Sequence, residues 1–131
     1  MIFIDSNVPM YLVGAAHPNK DRAVTVLTQL VRDGERFITD VEAYQEILHR
    51  YTAIKRPDAI DAAFDSLDGI TDDVLTFGMA EIRSARALLG SAGRLSARDA
   101  LHVAVMQKAG VSRILSFDDS FDSLPGIERL K

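Results

Sequence analysis

Apolar residues in this chain fall into two patterns: short unbroken runs, and longer stretches in which they recur every three or four positions. The runs Ile2-Phe3-Ile4, Phe37-Ile38-Thr39 and Arg113-Ile114-Leu115-Ser116 read as buried strands, and Val74-Leu75-Thr76, within residues 71–77, as a further one. The recurring positions read as amphipathic helices. Ala23, Val24, Leu27, Leu30 and Val31 predict one over residues 19–32, stopped by Gly34. Val41, Ala43, Tyr44, Ile47, Leu48 and Tyr51 predict another, capped by Asp40. Ile60, Ala63, Phe64 and Leu67 follow Pro57 in a third, and Met79, Ile82, Ala85 and Leu89 mark a fourth, closed by Gly90. Ser91-Ala92-Gly93 reads as a short loop, and residues 127–130, after the Pro125-Gly126 turn, as a last edge strand. Strand and helix alternating in this way predict parallel pairing through crossovers, hence an α/β fold: a three-layer α/β/α sandwich around a mostly parallel sheet of four to five strands.

One stretch differs. Residues 97–109 lie between a good N-cap, Ser96, and a good helix-ending glycine, Gly110, and carry apolar residues in nearly every direction, as a buried helix does. Asp99 sits between Val103 and Met106 on that wheel. An acid in the first turn suits the positive end of the helix dipole, but in a dry place it needs a proton, a partner or a metal. Ser96-x-x-Asp99 also fits a capping box, in which the acid only returns a bond to the Ser96 amide. The pattern of this helix leaves both readings open.

Composition narrows the chemistry. With 131 residues, 47% hydrophobic and 26% charged, the chain reads as one soluble domain over residues 1–131, with no apolar run near the ~20 residues that span a bilayer. The start has no basic segment leading a long apolar one, so it does not read as a signal peptide. Absence of cysteine removes disulfides and thiolate metal sites and is compatible with a cytoplasmic protein. A net charge of −4 argues against holding nucleic acid by charge alone, not against acting on it. Asp outnumbers Glu by 14 to 5, which points to acids placed at caps, turns and sites. Asp5 follows the first strand and Asp118 a late one, and in open parallel sheets function gathers beyond the strands' carboxyl ends. The start of the helix carrying Asp99 belongs at the same edge. Three acids there repel unless a cation sits among them, and an all-oxygen set suits Mg²⁺ or Mn²⁺ far better than Zn²⁺. Glu46, by contrast, falls on its wheel with Glu42 and His49, away from the apolar centre, and reads as solvated. Arg50, Lys55 and Arg56 form a basic cluster that reads as a solvated helix end or a phosphate-contacting rim. His17 falls in a Pro-containing loop, and His49 and His102 lie on helices, where a hydrogen-bonded structural role is the commoner one.

The ordered set Ile4-Asp5-Ser6-Asn7, Tyr44-Gln45-Glu46-Ile47-Leu48, Ser96-Ala97-Arg98-Asp99-Ala100-Leu101-His102-Val103-Ala104 and Ile114-Leu115-Ser116-Phe117-Asp118-Asp119-Ser120-Phe121 resembles the PIN-domain nucleases, among them most nearly the VapC-type toxins of toxin–antitoxin pairs. The resemblance covers the chain in length and motif order. It implies that Asp5, Glu46, Asp99 and Asp118 form an acidic catalytic quartet, selecting Glu46 where periodicity did not. It also implies that Ser6, Asn7 and Ser116 support the acids, with Asp5, Asp99 and Asp118 as the metal ligands. Asp118 is preferred to Asp119 or Asp122 because it lies nearest the strand. The implied activity is Mg²⁺-dependent hydrolysis of RNA, with Mn²⁺ as a substitute, leaving a 5′-phosphate and a 3′-hydroxyl. Arg50, Lys55, Arg56, Arg83, Arg86 and Arg98 are the candidates for an RNA rim. The implied partners are a small antitoxin whose tail fills the cleft and a second copy of the chain, with no membrane. Two other classes stand beside this one: a PIN-like binding or scaffold protein that cleaves nothing, and a receiver-like phosphoacceptor domain. The latter would carry paired acids after strand one, which Asp5-Ser6 lacks.

Overall fold

A computed structural model describes residues 1–91 and 94–131, the side chain of Ser91 excepted. The first strand, β1 (Ile2–Ile4), is apolar at every position because it is covered on both sides. It runs through Asp5 into α1 (Asn7–Val13), followed by α2 (Pro18–Arg32), β2 (Phe37–Asp40) and α3 (Val41–Ala53). A single 3₁₀ turn at Pro57–Ala59 precedes α4 (Ile60–Ile70), then come β3 (Asp73–Leu75), α5 (Met79–Ser91), α6 (Ala97–Ala109), β4 (Arg113–Leu115) and β5 (Glu128–Leu130). The predicted loop at Ala92-Gly93 lies outside the described residues. Helix α5 passes through Gly90, the predicted stop, to Ser91. Helix α2 begins one residue earlier than predicted, because Pro18 occupies its first turn and the His17 ring nitrogen Nδ1 accepts from the Asn19 amide at 3.0 Å as a cap.

The strands form one sheet in the order β3-β2-β1-β4-β5, and every pair is parallel, including the edge strand β5. The expected mostly parallel sheet is therefore wholly parallel. Strand β1 occupies the middle, Phe3 standing beside Ile38 on one flank and Ile114 on the other. From β1 the chain first builds outward through β2 and β3, then crosses back to build through β4 and β5. The crevice beyond the carboxyl ends of β1 and β4 is thus the switch point of the sheet. A receiver-like domain orders its strands 2-1-3-4-5, so this topology excludes that reading.

Strand alternation divides the core in two. Phe3, Ile38 and Ile114 face a layer supplied by Ala85 of α5 and by Ala100, Val103 and Met106 of α6, with Phe121 closing one side. Ile2, Ile4, Phe37 and Leu115 face Val8, Ala23, Ile47 and Leu67 of α1, α2, α3 and α4. Each fully buried large side chain contributes about 1.5–3 kcal/mol relative to exposure. Helix α6 follows its prediction: Ser96 Oγ accepts from the Asp99 amide at 3.1 Å, Gly110 ends the helix in the left-handed region at φ 72°, and Val103, Ala104, Val105 and Met106 are all buried. Among the described residues no helix is long and apolar enough to cross a membrane.

Candidate active site

The local geometry at the switch point begins with Asp5, which leaves β1 buried at 3% exposure. Its carboxylate accepts from the Ser6 amide at 2.7 Å and from Ser116 Oγ at 2.6 Å, and Asn7 Nδ2 adds a longer bond at 3.3 Å. Ser116 follows β4, so this hydroxyl ties the ends of the two central strands together. The same Oγ accepts from the Asp118 amide at 3.0 Å and from Asn7 Nδ2 at 3.3 Å, which uses its one proton and both lone pairs. Asn7 Oδ1 in turn accepts from the Phe117 amide at 3.3 Å. Ser6, Asn7 and Ser116 therefore hold the acids through direct bonds.

Asp99 resolves the choice left by its helix pattern. Its backbone amide takes the Ser96 cap, but its carboxylate does not return the bond; it accepts from Ser120 Oγ at 3.3 Å, in the segment that Asp118 begins. Asp118 Oδ1 accepts from the Ser120 amide at 2.9 Å. Burial, then the charges of Asp5 and Asp118, push the Asp99 carboxyl up to about 7. Burial likewise raises Asp5. Asp118 is held low: burial opposes its charge, but the Ser120 amide and hydroxyl and a bond shared with Asp99 outweigh it. The neighbouring acids are engaged elsewhere, Asp122 by Arg129 through bonds of 2.8 and 2.9 Å and Asp119 by Arg94 at 3.8 Å.

Glu46 is not solvated as its helical wheel suggested. The wheel scores a position by the apolarity of its neighbours, whereas this face of α3 turns to the polar crevice. Glu46 Oε2 accepts from Ser6 Oγ at 2.6 Å and Oε1 is bonded to His102 Nε2. Burial opposes its charge, but His102 overcomes that and lowers its pKa.

His102 is the site residue that sequence reasoning missed. It is fully buried, one turn beyond Asp99 on α6, with its ring against Phe3. Its Nδ1 lies 2.7 Å from Asp40 Oδ2, its Nε2 meets Glu46, and Asp5 Oδ1 is 3.9 Å from the same nitrogen. Burial depresses the imidazole, but the bonds to Asp40 and Glu46 prevail and hold it well above its ordinary value. Asp40 caps α3 as predicted, Oδ1 accepting from the Ala43 amide at 3.0 Å, yet its other oxygen serves His102. The one available signal was the spacing Asp99-x-x-His102, which puts both residues on one helix face.

The donor set fits a divalent cation. Asp99 lies close enough to feel the charges of Asp5, Asp118 and Glu46, Asp5 and Asp99 carry raised pKa values, and carboxylate oxygens are the donors that hard cations select. An oxygen each of Asp5 and Glu46 and a ring nitrogen of His102 lie within 4.8 Å of one another, a spacing that one ion can span. Two clefts open on either side of the acids and share Asn7 and Tyr11. One, about 600 Å³, is walled by Glu46, His49, Arg50 and Arg98; the other, about 590 Å³, by Phe117, Asp118, Arg129 and Lys131. A larger cavity of about 740 Å³ between α2 and β5 carries none of the acids. Of the six candidate rim cations, Arg50 and Arg98 stand in the first cleft, Arg98 within 3.7 Å of Glu42. Arg56 pairs with Asp58, and Lys55, Arg83 and Arg86 line neither cleft among the described residues.

Fold and site together define an α/β domain with an acidic crevice whose residues could hold a metal ion. Residues 2–127 match the PIN domain family model, and the chain belongs to that family. It is 52% identical over 130 residues to Ribonuclease VapC13 of Mycobacterium tuberculosis, covering 99% of each chain. Among solved structures it is similar to M. tuberculosis VapC20, described as a sarcin–ricin loop cleaving toxin, with TM-score 0.70, 20% identity and 94% of each chain covered. It is similar also to VapBC2 from Rickettsia felis bound to a promoter DNA fragment, with TM-score 0.74, 12% identity and 99% and 98% of the two chains covered. At those identities the solved structures speak for the fold.

Proposed function

We propose that this chain, as one domain over residues 1–131, is a divalent-metal-dependent endoribonuclease and the toxin of a toxin–antitoxin pair. The observation that carries this reading is the convergence of Asp5, Glu46, Asp99 and Asp118 on one crevice, with Asp99 pushed up to about 7 by burial and by its acidic neighbours. A scaffold has no use for an arrangement so unfavourable without a cation. The 52% identity to a named VapC ribonuclease supports the substrate class.

In this reading Asp5, Asp99 and Asp118 hold Mg²⁺, with Mn²⁺ as a substitute. When bound, the metal lowers the pKa of a water and stabilises charge on the scissile phosphate. The chain's own residues supply the rest. Ser116 and Asn7 fix Asp5 and the backbone of Asp118, so the donors are aligned before any ligand arrives. Glu46, gripped by Ser6 and His102 through its two oxygens, adds its carboxylate beside them as the fourth acid around the metal. Arg50 and Arg98 offset the acids and meet flanking phosphates, against the repulsion an acidic site exerts on a polyanion. Cleavage then leaves a 5′-phosphate and a 3′-hydroxyl. The protein acts in the cytoplasm as a homodimer, and a small antitoxin silences it by filling the cleft.

The test is cleavage of a pool of structured RNAs by purified protein in Mg²⁺ or Mn²⁺ against EDTA, alongside Asp5→Ala, Glu46→Ala, Asp99→Ala and Asp118→Ala. Metal-dependent cutting lost in all four variants is the expected result. Cutting that survives Asp99→Ala would return that residue to a helix-cap role and defeat the mechanism. A folded wild type that binds RNA without cutting it would favour the scaffold.

A further inference from the structure

We infer that Asp40 and His102 are a paired positioning device for Glu46, and through it for the cation site; this rests on the function proposed above. Both are fully buried, Asp40 at the end of β2 and His102 in the middle of α6, among Ala100, Val103 and Met106. The fold needs neither in that form. Capping α3 requires one side-chain oxygen, which an uncharged Ser, Thr or Asn provides, and the space beside Phe3 suits an apolar side chain. Burying an acid and an imidazole there is costly unless each is bonded, and each is bonded to the other.

The pair has one outlet. Asp40 uses Oδ1 on the Ala43 amide and Oδ2 on His102 Nδ1, which orients the ring so that Nε2 meets Glu46 Oε1. Ser6 Oγ holds the other oxygen of Glu46 at 2.6 Å, so the carboxylate is gripped from two sides and its plane is set. Asp5 Oδ1, 3.9 Å from Nε2, is too distant for a hydrogen bond to the ring and accepts instead from the Ser6 amide, which leaves it a lone pair for a cation. His102 Nε2 lies within 4.8 Å of oxygens of Asp5 and Glu46, but both ring nitrogens are committed to carboxylates, so in this inference His102 acts through Glu46 rather than as a ligand. Partners that orient a ligand from behind in this way typically change metal affinity or activity by about 10–100-fold when removed.

The experiment is a double-mutant cycle read by calorimetric Mn²⁺ binding and, separately, by kcat and KM on cleaved RNA. Asp40→Asn keeps a side-chain oxygen for the α3 cap and an amide to face His102, losing only the charge of the acid, and its folding is checked by circular dichroism and thermal unfolding. It is expected to weaken Mn²⁺ binding and lower kcat by about 10–100-fold with KM unchanged, and to have little further effect in a Glu46→Gln background. His102→Gln is expected to behave in the same way; if it does not fold, Asp40→Asn decides alone. Wild-type Mn²⁺ binding in Asp40→Asn, or a loss that persists in full when Glu46 is already Gln, overturns the inference, the second outcome making His102 a ligand or a purely structural residue. Should the wild type bind no Mn²⁺, the inference falls as well. Should it bind Mn²⁺ and cut no RNA, the nuclease reading falls while the binding cycle still decides the role of the pair.

Discussion

Asp99→Asn should make the metal-free protein more stable, although it removes a charged residue from the first turn of a helix. The rise of its pKa from 3.8 to about 7 is worth about 4 kcal/mol, at about 1.4 kcal/mol per pKa unit. Burial is the largest cause and an Asn still buries a polar group there, so the substitution relieves only part of this, on the order of 2 kcal/mol. Against this stands the lost interaction with the helix dipole, about 0.3–1 kcal/mol; the Ser96 cap survives because it uses the backbone amide. The net is about 1–2 kcal/mol, or roughly 3–6 °C in melting temperature for a domain of this size. Because the folded pKa lies above the unfolded one, the wild type has no such penalty below about pH 3.8, accumulates it as pH rises, and carries it in full above about 7. Thermal unfolding in EDTA should therefore show the variant ahead near pH 8 and level near pH 4. Added Mg²⁺ should close the gap by stabilising the wild type more. A variant less stable than wild type at pH 8, or an advantage that does not shrink on acidification, would refute the reasoning.

Phe121→Ala, which empties a fully buried aromatic position beside α6, should cost about 3–5 kcal/mol, visible as a lower urea midpoint. Glu81 accepts from the Gly78 amide at 2.8 Å and pairs with Lys108, which pulls its pKa down to about 2. Its contribution is present above about pH 4.5 and lost as pH falls toward 2, so Glu81→Gln should lower melting temperature near neutrality and match wild type in strong acid. Arg50→Ala should raise KM for RNA, leave kcat nearly unchanged and reduce the salt slope of binding by about 1, an unaltered salt slope counting against a phosphate contact.

Legibility in the sequence followed the range of the interaction. Asp5 was readable because a strand, a turn and a helix start lie within a few residues, and Asp99 because a charge on an otherwise apolar helix stands out. The Ser96 cap and the Gly110 stop are local and were found where expected. Glu46 was not readable from periodicity, since its bond to Ser6 spans 40 residues and a wheel sees only its own helix; the family resemblance supplied it. Asp40 and His102 are separated by 62 residues, and each already had an adequate local explanation, one as a cap and the other as a helical histidine. Local sufficiency concealed the pair. The strand order was likewise set by long-range pairing, but alternation of strand and helix was enough to place the acids at one edge.

The centre of the sheet holds β1, and a strand far along the chain, β4, completes its second flank. Ile4 pairs with Leu115, and Asp5 takes a bond from Ser116, more than a hundred residues downstream. Until that segment joins, the amino-terminal acid has no hydroxyl to align it and Asp99 and Asp118 have no shared crevice. A chain emerging from the ribosome therefore carries no assembled acidic site until Asp118 has been added and has folded against β1, and a fragment ending before Asp118 should be harmless to RNA. The order of the strands thus defers the catalytic hazard until β4 and the segment after it have joined β1, the stage at which an inhibitor can also find a completed surface to bind.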